Sequence, residues 1–156
     1  MYPNIPEDAV PVTMTSPVTT NGGVTGDYIS LKNVLRCYIV ATFTQAVGHA
    51  TGIDPVQATA VDGTGAKAIT NTVPIWYNTD LSATSVLTRA TDAITWNCAA
   101  TVKNQKVIFV IDPAKFDTAN SFDVLGVTVD DSSQATNFVN IECFVVPRYS
   151  GLNHIA

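Results

Sequence analysis

Five consecutive β-branched or aromatic residues, Val107 to Ile111 (VIFVI), stand between Lys106 and an Asp112-Pro113 stop. The run has the length of a strand, and its apolarity on both parities predicts a strand buried on both faces. Past the proline corner, Leu125, Val127 and Val129 alternate with Val124, Gly126 and Thr128, the pattern of a second strand with one face in the core. Together the two segments predict the centre of a β-sandwich.

The rest of the chain supplies strands to surround them. Tyr28 to Lys32 reads as a short strand, and Val34 to Phe43 as a long one with Leu35, Cys37, Ile39, Ala41 and Phe43 on its core side. Val56 to Val61 is the next, followed by a turn at Asp62-Gly63-Thr64-Gly65. Lys67 to Tyr77 is interrupted by Pro74, which lacks a ladder donor and so predicts an edge or a bulge. Ser82 to Arg89 fits either a strand or one helical turn. Ala93 to Val102 alternates with Ile94, Trp96, Cys98, Ala100 and Val102 inward, and Phe138 to Val146 places Val139, Ile141, Cys143 and Val145 inward before Pro147. Short strands punctuated by Gly, Asn, Asp and Pro, without an amphipathic helix, predict an all-β, antiparallel, jelly-roll-like sandwich over residues 27–149, with a tail at 150–156.

Residues 1–26 differ. They hold four of the chain's eight prolines (Pro3, Pro6, Pro11 and Pro17) and end at Gly22-Gly23, which forbids helix and favours extended geometry. Ile5, Val10, Val12, Met14 and Val18 are apolar, unlike a solvated linker. The segment therefore reads as an extended arm lying along another surface, and these five residues as protein-contact candidates.

Only 13% of the 156 residues are charged, against roughly 25% for a typical soluble domain, so part of the surface is expected to serve contact. A net charge of −5, with the eight Lys and Arg scattered singly, excludes a nucleic-acid backbone as partner. No run approaches a membrane span, and residues 1–20 lack the pattern of a secretory signal. Cys37, Cys98 and Cys143 are far apart and each lies in an apolar strand pattern, which predicts buried thiols in a reducing compartment.

Candidate chemistry is sparse. Asp62 to Lys67 (DGTGAK) superficially resembles a phosphate loop but lacks the P-loop spacing and a following helix, so a hairpin turn is expected. His49 and His154 lie outside metal-ligand spacing of one another and of any cysteine. Asp112, Asp117, Asp123, Asp130 and Asp131 invite a calcium-loop or glycosidase reading, but their Pro, Asn and Ser neighbours point to turn chemistry. Trp76 and Tyr77, beside Pro74, are expected at an edge, where they cap the sandwich core, make a protein contact or, with Trp96, form a sugar platform. No catalytic, cofactor or metal site is expected.

Taken in order, TGDYISLKN, VQATAVDGTGAKAI, the run Trp76 to Asp80 (WYNTD), IDPAKFDTANSFDVLGVTV and the closing Arg148-Tyr149 resemble small virion accessory proteins of tailed bacteriophages, of the capsid decoration or cement type. The likeness spans about residues 27–149 and omits the Pro-rich segment. It implies a structural, non-enzymatic protein on the capsid surface, made in the host cytoplasm. Its implied partners are the major capsid protein and further copies of itself, most simply as a trimer. A tail or head-completion component and a virion-displayed carbohydrate-binding module are the alternatives.

Overall fold

The computed structural model describes residues 4–149. Its strands are β1 (Val10–Thr19), β2 (Val24–Thr25), β3 (Ile29–Ser30), β4 (Val34–Thr44), β5 (Gly52–Ala58), β6 (Lys67–Ala68), β7 (Ile75–Asn78), β8 (Thr88–Arg89), β9 (Trp96–Asn97), β10 (Asn104–Ile111), β11 (Val124–Val129) and β12 (Phe138–Pro147). Two 3-10 turns, Pro113–Lys115 and Thr118–Asn120, make the corner between β10 and β11. One sheet runs β1-β12-β4-β10-β7-β8 and the other β2-β11-β5-β6, every pairing antiparallel; β3 also pairs with β11, and β9 with β5. The chain changes sheet from β1 to β2, β3 to β4, β4 to β5, β6 to β7, β8 to β9, β9 to β10, β10 to β11 and β11 to β12. That interleaving is the double Greek key of a jelly roll, with β7 and β8 extending the first sheet beyond β10. Between the sheets lie Met14, Ile39, Phe43, Ile53, Ile75, Phe109, Ile111, Leu125 and Ile141, all at most 2% exposed.

Residues 10–26 are not an arm. Val10–Thr19 is a full strand against β12, Met14 is in the core, and the Asp27 amide donates to the Met14 carbonyl at 2.8 Å. The prolines have another reason. β1 is an edge of its sheet, where Pro11 and Pro17 can leave a donor missing on the solvent side and so discourage a further strand from adding. The folded body therefore begins by Val10, not at Asp27.

Strand phases differ from the alternation pattern in three places. In β4 the core side begins with Val34, while Leu35 is exposed; β12 advances one residue, from Val146 to Pro147, as β4 moves two, from Arg36 to Val34, so Leu35 is the extra residue of a bulge. Of Ala93 to Val102, only Trp96 and Asn97 form a strand, with Ala93 making an isolated bridge to Val73, because the chain turns at 99–103 before entering β10; Ala100 and Val102 face solvent. The two segments that define the sandwich also exchange roles. β10 is buried on one face only, with Ile108 and Val110 left half-exposed, whereas Val124 to Val127 of β11 are buried throughout.

Buried amides hold the loops. Asn137 exchanges two hydrogen bonds with the Val47 backbone (2.9 and 2.8 Å), and Gln105 does the same with Ala99 (2.8 and 2.7 Å). Gln57 joins β6 to the corner by donating to the Ala68 carbonyl and accepting from the Asp117 amide. Each of these side chains is at most 2% exposed and its polar atoms are satisfied, so each replaces a missing strand partner. The DGTG turn is also local chemistry: Asp62 accepts from the Thr64 amide at 2.9 Å, and Gly63 and Gly65 have positive φ.

Candidate protein-binding face

Alternation along β4, β10 and β12 sends one set of side chains into the core and the other to the outside of the six-stranded sheet. The register aligns the outer set in rows. Phe144, Tyr38 and Val110 form one row across β12, β4 and β10, and Glu142, Val40, Ile108 and Trp76 form the next across β12, β4, β10 and β7. Thr42 lies below, between Asn140 and Lys106. The upper two rows are apolar except for Glu142. Among the described residues no further strand packs over this face, and Trp76 keeps 39% exposure.

The rim of the face is fixed. Residues 79–87 fold over Asn78, whose side-chain amide donates to the Thr84 and Val86 carbonyls (2.6 and 2.9 Å) and accepts from the Asp80 amide (2.7 Å). Asp80 in turn accepts from the Ser82 amide and hydroxyl and from Lys103 Nζ at 2.7 Å. The Lys103 contact and the Ser82 bonds lower its pKa to about 2. Val86, at 71% exposure, stands on this braced loop.

Charge on the face is sparse and unpaired. The four ion pairs among the described residues are Lys32–Asp123, Lys67–Asp117, Arg89–Asp92 and Lys103–Asp80. Glu142 and Lys106, one strand to either side of β4, take part in none, nor does the exposed Arg36 near the start of β4; Thr13 donates its hydroxyl to Glu142 at 2.9 Å.

The residues singled out in the sequence are dispersed. Trp76 belongs to the face, with the Arg89 guanidinium 5.8 Å from its ring. Tyr77 points the other way and packs on Trp96 with ring centroids 6.0 Å apart, so no three-aromatic platform forms. Val10 and Val12 are half-buried on the same parity as core Met14 and are strand residues, not free contacts; Val18 (36%) and Ile5 (57%) are exposed. Sequence patterning does not single out Tyr38, Val40, Ile108, Val110 and Phe144, although the doubled apolar parity of VIFVI is their signal.

The carboxylates serve turns and corner contacts. Asp112 caps the first 3-10 turn through the Ala114 amide, and Lys67 binds Asp117 at 2.8 Å while lying 3.9 Å from the Phe122 ring centre. Asp131 accepts from the Gly22 and Ser133 amides, which hold its pKa below the usual range. Among the described residues no three His, Cys, Asp or Glu side chains cluster as a metal would require. His49 Nδ1 is 3.1 Å from Thr51 Oγ1, and His154 lies outside the described residues. Cys37, Cys98 and Cys143 are buried; burial raises the Cys98 pKa, and the Cys37 thiol together with burial raises that of Cys143.

In comparisons with known proteins, no family model, curated protein or solved structure matches this chain.

Proposed function

We propose that the protein is a structural, non-enzymatic component of a tailed-bacteriophage particle, added to the outside of the capsid as an oligomer that bridges major-capsid subunits. The observation that carries this reading is the apolar outer face of the six-stranded sheet. A chain with few charges has placed Phe144, Tyr38, Val110, Val40 and Ile108, all half-exposed, beside the exposed Trp76 on the outside of one sheet, apolar area that a further contact can bury. Jelly rolls recur in viral capsid proteins, but fold alone assigns no function, so this supports the reading without carrying it. Bridging works by multivalency: modest contacts at several subunits give slow release when they act together.

The test is addition of purified protein to capsids that lack it, read by co-sedimentation and by copy number on the particle. Ile108→Glu puts a charge in the centre of the face and is expected to abolish addition. Wild-type protein that fails to bind capsids refutes the reading, and a copy number of a few per particle reassigns the protein to the tail or the head-completion assembly.

A further inference from the structure

We propose that the outer face of the six-stranded sheet is a self-complementary contact, covered by the same face of a second copy about a twofold axis running near β4. This rests on the reading of the face as a protein contact and names its occupant. The first argument is charge. A twofold axis lying in the interface along β4 exchanges the two flanking strands, so β12 of one copy meets β10 of the other. Glu142 and Lys106 are the face's unpaired charges on those two strands, and they are one row apart: Glu142 beside Val40, Lys106 beside Thr42. A row spacing of about 6.8 Å is within reach of an extended lysine, so the twofold creates two equivalent Lys106–Glu142 pairs where the monomer has none.

The second argument is shape and size. In the row centred on Tyr38 the same axis sets the large Phe144 of each copy against the smaller Val110 of the other. Five strands at about 4.8 Å and three rows at about 6.8 Å give roughly 500 Å² per copy, about 1,000 Å² in all. That is the lower bound for a specific interface, so the dimer is expected to form at high concentration and dissociate on dilution. The face then supplies the oligomer contact of the proposed function and capsid attachment uses other surfaces, of which the dimer presents two sets, so Ile108→Glu abolishes addition by removing that multivalency.

Sedimentation velocity of the isolated protein, without capsids, tests this. At about 100 μM the wild type is expected to sediment as a dimer, and Ile108→Glu as a monomer with an unchanged circular dichroism spectrum. Glu142→Lys and Lys106→Glu should each weaken the dimer at least tenfold, and the double exchange E142K/K106E should restore it, which loss of structure could not do. A wild type monomeric at 100 μM, or a double exchange as weak as the single ones, overturns the proposal. If the wild type is monomeric yet Ile108→Glu abolishes capsid addition, the face belongs to the capsid protein: the proposed function stands and this inference falls. If the wild type is dimeric but never binds capsids, the self-contact stands and the capsid role falls.

Discussion

The two sheets treat their outer faces differently. Over the smaller sheet, Tyr28 lies across β11: its ring occupies the space that a Cβ would need at Gly126 and at Gly63, and Val124 to Val127 are buried on both sides. That face is sealed by the chain itself. The sheet that contains β4 has longer strands and more apolar outer residues, yet among the described residues nothing comparable covers it, and only its rim at 79–87 is built up. Apolar residues facing outward thus have two explanations in one molecule. The smaller sheet uses them for its own stability, and the larger one leaves them available.

Perturbing each face should separate these roles. The largest effect is expected from removing β1, which belongs to the larger sheet but meets the β2–β3 segment through the Met14–Asp27 hydrogen bond. Deleting residues 1–24 exposes the inner edge of β12 and removes Met14, whose truncation to Ala alone should cost about 2–5 kcal/mol. The product is expected to lose its cooperative thermal transition; a native-like melt would show that the segment is an arm after all. Next, Gly126→Val should destabilise by about 1–3 kcal/mol, because the new side chain drives Tyr28 and Val56 apart. Ile108→Glu, at a half-exposed position on the open face, should cost no more than about 1 kcal/mol while removing association. Equal losses of melting temperature at the two sites would erase the distinction between a sealed and an open face.

This contrast also marks what the sequence could tell. The all-β class, the jelly-roll arrangement and the burial of Cys37, Cys98 and Cys143 follow from alternation and turn residues, which are local signals. VIFVI is legible as doubly apolar but not as outward-facing, because parity counts apolar faces without saying whether the chain or a partner covers them. β11 fails in the opposite sense: its second face looks empty at Gly126, and the ring that fills it comes from Tyr28, about a hundred residues away in sequence. The prolines of β1 carry the same ambiguity, since an edge strand and an extended arm both dispense with donors. Loop clamps by Asn78, Gln105 and Asn137 leave no sequence signal at all, because a buried amide and a solvated one look alike until a loop is placed over them.

The smallest effect expected is at the rim of the open face, and it depends on pH. Asp80 has its pKa lowered to about 2 by Lys103 and Ser82, against an ordinary carboxylate value near 3.8. Between those values the unfolded chain carries a proton that the folded one does not, so the contribution to stability is complete above about pH 4 and is lost as pH falls towards 2. Because the Asp80 carboxylate sits at the rim, 28% exposed and screened by solvent, global melting should barely register the change. The local readout is better: the Ser82 and Ala83 amides donate to the Asp80 carboxylate, at 3.1 and 3.3 Å. Their NMR shifts should titrate with a midpoint near pH 2, and in Asp80→Asn they should not titrate at all while their hydrogen exchange accelerates. A midpoint near 4 would mean that Lys103 does not brace the loop. In that case the rim beside Trp76 is as unfixed as the rest of the open face, and Val86 has no rigid place in whatever contact that face makes.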